Sequence, residues 1–126
     1  MAAMTQSLED YLEAVYMLIS EDRPAQVCDV AKILAVKMPS VVKAIRELKK
    51  LGLVMQKPYS AIELTVKGKR VAQHVLNRHR LLRSFLMQLG VSRRNADKDA
   101  CLMEHILSAE TIDRIRSYTE ENSKTE

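Results

Sequence analysis

Two short amphipathic segments joined by only four residues constrain the fold of this chain more than any other feature of its sequence. Residues 27–34 form the first segment, and apolar residues recur at helical spacing again over residues 39–50. Proline suits the first turn of a helix, as Pro39 would here, because its missing N–H would have no partner at that position. Residues 35–38 are therefore predicted to be a tight turn between two helices, although Ala35 stands where glycine is common.

The segments on either side complete the order of a winged helix-turn-helix. Ser7 is predicted to cap a helix over residues 8–20. Its core-facing stripe is predicted to be Leu8, Leu12, Val15 and Ile19. Residues 53–56 and 61–64 are short strand candidates around a turn at residues 57–60, which predicts a two-stranded wing.

The rest of the chain is predicted to be helical. Thr65 can cap a long helix that runs to about Leu89 and ends at Gly90, and Ser92 or Asn95 opens the next helix. Ser108 is expected to cap a last helix through Tyr118, with a frayed polar tail from Thr119. The predicted fold is mainly α, with a winged helix-turn-helix in residues 1–70 and a helical domain in residues 71–126.

Basic side chains are concentrated in the middle of the chain. Residues 37–80 hold eleven Lys or Arg side chains and two acidic ones, a net charge of +9, whereas the rest of the chain carries −5. This distribution is typical of a protein that binds a polyanion through its centre. A solvated lysine-rich surface would give the same pattern, but here the charge coincides with the winged helix-turn-helix, which favours double-stranded DNA as the partner.

The predicted DNA contacts follow from this fold, because the second helix of the pair enters the major groove and the wing grips the backbone. Ser40 and Lys43 are the candidates for base edges, Pro39 opens the recognition helix beside them, and Lys37, Lys57 and Tyr59 are candidates for phosphates. A small helical domain with a surface hairpin is the alternative interpretation of the element order.

Potential metal ligands recur at helical spacing outside this element. They are Asp10 and Glu13 on the first helix, His79 on the long helix, and Cys101, Glu104 and His105 on the helix after it. Oxygen donors combined with imidazole suit Mn²⁺ or Fe²⁺, whereas a structural zinc site would show paired Cys or His motifs. Taken singly, each residue is also compatible with a capping, surface or core role.

Three motifs resemble the diphtheria-toxin-repressor family of metal-dependent regulators. They are residues 7–16 (SLEDYLEAVY), residues 78–82 (RHRLL) and residues 100–105 (ACLMEH), which is followed by Leu107-Ser108. The resemblance extends from about residue 7 to residue 118. It implies a metal-activated repressor of metal-homeostasis genes that binds a palindromic operator as a homodimer, with the helical domain serving metal binding and dimerisation.

In its length, the chain resembles members of the short, manganese-sensing branch of that family. Asp10, Glu13, His79, Glu104 and His105 match the metal positions of that branch, whereas Cys101 matches the iron-sensing branch. Arg83 and Asp97 stand where the iron branch has ligands of an ancillary site, which disfavours such a site, although Asp97 could still supply an oxygen. The resemblance thus implies Mn²⁺ or Fe²⁺ as the cofactor, with one or two ions per subunit.

Metal binding is expected to fix the DNA-reading helices about 34–36 Å apart in the dimer, one turn of DNA. The alternative function is a metal-independent winged-helix regulator that responds to a small molecule or to thiol oxidation. An enzyme is disfavoured because no phosphate-binding loop or nucleophile motif occurs. Without a secretory signal or a long apolar segment, the chain is expected to be cytoplasmic and not to contact a membrane.

Overall fold

The computed structural model of the chain describes residues 5–124. Within that range it contains helices and one two-stranded antiparallel sheet. The elements are α1 (Gln6–Ser20), α2 (Val27–Leu34), α3 (Met38–Lys50), β1 (Val54–Met55), β2 (Glu63–Leu64), α4 (Val66–Gln88), α5 (Arg93–Met103) and α6 (Ala109–Lys124). This order confirms the predicted fold, which is mainly α with a winged helix-turn-helix before a helical domain. The structure divides into two compact units between His74 and Val75, inside α4.

The first unit has an aliphatic core supplied by α1, α2, α3 and the wing. Helix α1 begins two residues earlier than predicted, because Thr5 and not Ser7 caps it: the Leu8 N–H donates to the Thr5 Oγ1 at 3.1 Å. The predicted core position Ile19 was wrong, since its side chain is 37% exposed while that of Leu18 is 1% exposed. The buried face of α1 is formed by Tyr11, Leu12, Ala14, Val15 and Leu18.

The turn between α2 and α3 has the predicted tight geometry. Ala35 ends α2 in the left-handed conformation, with φ 54° and ψ 45°, which accounts for the usual preference for glycine at this position. Helix α3 then begins at Met38 with Pro39 in its first turn. Its inner side is buried in the core of the unit, and that side consists of Val41, Ala44, Ile45 and Leu48.

The wing is shorter than predicted, with two residues in each strand. Val54 pairs with Leu64 and Met55 with Glu63. The Ile62 N–H, just before β2, donates to the Ala25 carbonyl at 2.9 Å, which attaches the wing to the segment between α1 and α2. The bridge between Ala25 and Ile62 therefore holds the sheet against the helical part of the unit, and the pairing of β1 with β2 holds the wing itself together.

The second unit is helical, and its helices begin at the predicted capping residues. The Ser92 Oγ accepts from the Asn95 N–H, and the Ser108 Oγ accepts from the Thr111 N–H, at the starts of α5 and α6. The prediction of a frayed tail from Thr119 was wrong, because α6 continues to Lys124 and the Thr119 side chain is buried. Phe85 and Tyr118 pack edge to face with ring centroids 5.9 Å apart, so α6 contacts α4 one residue before Thr119.

Among the described residues, no helix combines the length and the apolar character that crossing a bilayer requires.

Candidate functional site

The outer face of α3 presents polar and basic side chains to solvent. Lys37 precedes the helix as its N-cap residue, and Ser40 and Lys43 lie on its exposed side, with Pro39 beside them. The opposite side of α3 is locked in the core, so the orientation of the exposed face is fixed by packing. A helix held in this way, with short polar and basic groups at its N-terminal end, can be inserted into a DNA major groove.

The tip of the wing presents Lys57 and Tyr59. The Ser60 N–H donates to the Lys57 carbonyl at 3.0 Å, and the Gln56 side-chain amide donates to the Ser60 carbonyl at 3.0 Å. Tyr59 adopts φ 62°, a conformation uncommon outside glycine, and its side chain is fully exposed. The turn therefore displays a cation and a phenol to solvent, which suits hydrogen bonds to a phosphate backbone.

The acidic candidates of the first unit, Asp10 and Glu13, lie three residues apart on α1, and both are half-buried. Their neighbours Tyr11 and Leu12 are buried in the core of the unit. Their three-residue spacing places the two carboxylates on one side of α1. That side was expected to lie well away from the apolar stripe, but both residues are half-buried and adjoin buried positions.

In the second unit, a buried carboxylate lies between two imidazoles. Glu104 is 1% exposed and follows α5 as its C-cap residue. Its Oε2 lies 3.6 Å from the His79 Nδ1, and its Oε1 lies 3.3 Å from the His105 Nε2. The Cys101 Sγ lies within 4.8 Å of a Glu104 carboxylate oxygen. The structure therefore brings together four of the six predicted metal ligands within this unit.

These residues fit a divalent transition metal. A carboxylate is costly to bury unless a cation or hydrogen-bond donors compensate its charge. Here each oxygen faces an imidazole nitrogen, and the buried His79 Nδ1 has no hydrogen-bond partner among the described residues. Oxygen, nitrogen and sulfur donors that converge in a largely buried site match the preferences of Mn²⁺, Fe²⁺ and their neighbours in the first transition row.

A second ionic contact lies beside this cluster. The Arg83 guanidinium donates to the Asp97 Oδ1 at 3.1 Å, and the His79 Nε2 lies 3.4 Å from the same oxygen. The hydrogen bond from Arg83 holds the pKa of the Asp97 carboxyl below its usual range, against the opposing effect of burial and with a further contribution from His79.

The sequence had indicated Arg83 and Asp97 only as positions where other regulators have ligands. It missed their contact with each other and with His79. The signal that could have revealed this contact is the opposite charge of Arg83 and Asp97, which stand at two positions of the ancillary site that the iron-sensing branch has. Their 14-residue separation prevented a local pattern from revealing it.

Two family models match almost the whole chain. The model described as the N-terminal DNA-binding domain of iron-dependent repressors matches residues 3–62. The model described as the metal-binding and dimerisation domain of the same repressors matches residues 65–125.

Individual proteins give the same result. The chain is 39% identical over 119 residues to an uncharacterized HTH-type transcriptional regulator of Methanocaldococcus jannaschii, covering 93% of this chain and 95% of that protein. It is 41% identical over 111 residues to the HTH-type transcriptional regulator MntR of Bacillus subtilis, covering 88% of this chain and 78% of that protein. The solved structure of the manganese regulator SloR superposes with a TM-score of 0.82 at 28% identity, over 93% of this chain and 55% of that one. This chain therefore spans about half the length of the SloR structure.

Proposed function

Because the chain belongs to the iron-dependent repressor family and is a metal-responsive DNA-binding repressor, we propose that Mn²⁺ is its activating metal and that a homodimer binds a palindromic operator. The family is the one that the sequence motifs resemble, and one of its two matching models is named for dimerisation. Manganese is supported by the relatives named MntR and by the manganese regulator SloR. The observation that carries the proposal is the buried Glu104 carboxylate between the His79 and His105 imidazoles.

The proposed ligands are Asp10, Glu13, His79, Cys101, Glu104 and His105. The last four are supported by their proximity in the second unit. Asp10 and Glu13 are proposed on their resemblance to the manganese branch, together with their half-buried positions on α1. This set can serve one or two ions per subunit, and titration with Mn²⁺ counts them.

A bound ion would supply positive charge that offsets the carboxylates, and the chain's own residues would bind and orient it. Glu104 would offer its two buried oxygens to the ion, and the imidazoles of His79 and His105, each within 3.6 Å of one of those oxygens, would hold it from either side. The proposed DNA contacts are Ser40 and Lys43 to base edges beside Pro39, and Lys37, Lys57 and Tyr59 to phosphates. By thermodynamic linkage, operator DNA then raises metal affinity by the same factor by which metal raises DNA affinity.

The proposed switch is tested by fluorescence anisotropy with a labelled duplex selected by this protein from a random DNA pool in the presence of Mn²⁺. We expect Mn²⁺ to raise DNA affinity at least about 10-fold over a metal-free sample in chelator, within the usual range of allosteric coupling. Affinity that is equal with and without Mn²⁺ would contradict the switch.

The same titration tests the DNA-contacting surface through a matched pair of lysine variants. Lys43→Ala removes an exposed cation from α3, and Lys98→Ala removes an exposed cation from α5 outside the basic block. Loss of a base-edge or phosphate contact should weaken binding about 10-fold for Lys43→Ala and leave Lys98→Ala unchanged. Equal effects of the two changes would show that α3 is not the DNA-reading helix.

The identity of the metal is tested at Cys101. A thiolate is softer than a carboxylate, so Cys101→Glu is expected to shift activation of DNA binding towards Mn²⁺ relative to Fe²⁺. The measurement is anisotropy under anaerobic conditions across both metals. Cys28→Ser, at an exposed position of α2, is the control. An unchanged ratio of Mn²⁺ to Fe²⁺ activation in Cys101→Glu would count against Cys101 as a ligand.

A further inference from the structure

We propose that Asp97 is a positioning residue for His79, an inference that rests on the proposed role of His79 as a metal ligand. Asp97, anchored by Arg83, holds the imidazole proton on Nε2 and so keeps the Nδ1 lone pair available for the metal. In this role Asp97 acts through His79 and does not bind the ion itself.

The two ring nitrogens of His79 face two different carboxylates. The Nε2 lies 3.4 Å from the Asp97 Oδ1, and the Nδ1 lies 3.6 Å from the Glu104 Oε2. A neutral imidazole carries one N–H, and the hydrogen bond made by one nitrogen decides which nitrogen offers its lone pair. The His79 side chain is only 15% exposed, which limits the competition of solvent with these carboxylates for its ring nitrogens.

Arg83 explains why Asp97 is the carboxylate that receives this proton. Its guanidinium donates to the same Asp97 oxygen that the His79 Nε2 approaches, which fixes that oxygen in place. The Arg83 guanidinium is permanently charged, so it would also repel a metal ion at Asp97. Histidines that bind metals commonly donate their other N–H to a carboxylate, which orients the ring and selects the tautomer. Asp97 is therefore a hydrogen-bond acceptor in this site and not a further ligand.

The proton position is measured in the full-length, metal-free protein by long-range ¹H–¹⁵N spectra of the imidazoles. The chain has three histidines, so His79→Gln assigns the relevant signals. These spectra distinguish the Nε2–H, Nδ1–H and doubly protonated forms of an imidazole, so they are recorded at a pH at which the neutral form of His79 is observed. We expect the Nε2–H form in the wild type and in the control Asp99→Ala, which removes an exposed acid from the same helix. In Asp97→Ala we expect a mixture of the two tautomers.

Mn²⁺ binding to the same variants gives the second measurement. Loss of an orienting partner typically lowers metal affinity 10–100-fold, so we expect a fall of roughly that size for Asp97→Ala and no change for Asp99→Ala. Arg83→Gln, which keeps Asp97 but removes its anchor, should give a smaller fall in the same direction. Circular dichroism and an unchanged His74 signal verify that each variant is folded.

The outcomes separate this inference from the proposed function. A loss of Mn²⁺ affinity in Asp97→Ala without a change of tautomer would overturn the positioning role, because Asp97 would then act as a ligand or through its charge alone. No change in either measurement would overturn it as well. If His79→Gln left Mn²⁺ affinity intact, the ligand role of His79 would fail, whereas the tautomer result would still report the Asp97 contact.

Discussion

Replacing Glu104 by glutamine is expected to abolish the response of DNA binding to Mn²⁺ and to lower Mn²⁺ affinity about 100-fold or more. Loss of a residue that only orients a ligand already costs 10–100-fold, and Glu104 is proposed to bind the ion directly. Glutamine has nearly the same volume as glutamate, so the packing around this buried position is retained. The change removes the negative charge that faces the imidazoles of His79 and His105.

Thermal unfolding with and without Mn²⁺ distinguishes loss of a ligand from loss of the fold. A metal that binds only the folded state stabilises it by about 2.7 kcal/mol at 100 times its Kd. The wild type and the control Glu110→Gln, at an exposed acid in the first turn of α6, should show this gain. Glu104→Gln should unfold cooperatively but gain nothing at the same Mn²⁺ concentration. A full Mn²⁺-dependent gain in Glu104→Gln would remove Glu104 from the ligand set.

The fold was predictable where its signals are local in sequence. Capping by Thr65, Ser92 and Ser108 depends on a hydroxyl within three residues of an N–H donor, and all three caps are present. The burial of Thr119, in contrast, depends on tertiary packing in the second unit and could not be predicted from the polar composition of the tail. The choice of Leu18 over Ile19 is similar, because two adjacent apolar residues leave the exact phase of a helical stripe undetermined.

At the candidate site too, features that are local in sequence were predictable and features that depend on tertiary packing were not. The spacing of Cys101, Glu104 and His105 predicted that these residues share one face of a helix. The prediction that all three lie on that helix was wrong, because α5 ends at Met103, with Glu104 as its C-cap residue and His105 beyond it, although the turn still brings the three residues together. The spacing did not predict that Glu104 is among the most buried side chains of the chain, or that His79 separates it from an Arg83–Asp97 pair. Those facts depend on the packing of α4 against α5, which joins residues that are 14 or more positions apart.

In the first turn of α4, the backbone at Gly68 lies very close to the backbone of Leu53, and a substitution at Gly68 tests this contact. The Thr65 Oγ1 donates to the Gly52 carbonyl at 2.6 Å and accepts from the Gly68 N–H at 2.9 Å. The Thr65 N–H donates to the Leu53 carbonyl at 3.1 Å. A Cβ on Gly68 would overlap with the Leu53 carbonyl oxygen and lie 2.8 Å from its carbonyl carbon. These atoms belong to buried backbone and cannot rotate away.

Gly68→Ala is therefore expected to destabilise the protein by about 2 kcal/mol or more, because α4 must shift and strain its hydrogen bonds to the segment before β1. The sign is informative, since glycine to alanine inside an exposed helix normally stabilises by about 0.8–1 kcal/mol. The measurement is the free energy of unfolding in urea, in metal-free protein so that ligand binding does not contribute. Arg70→Ala, two residues further along α4 and exposed, is the control and should change stability by less than about 0.5 kcal/mol. A Gly68→Ala protein as stable as the wild type would contradict the close packing of α4 on Leu53, and with it the fixed attachment of the wing to this helix.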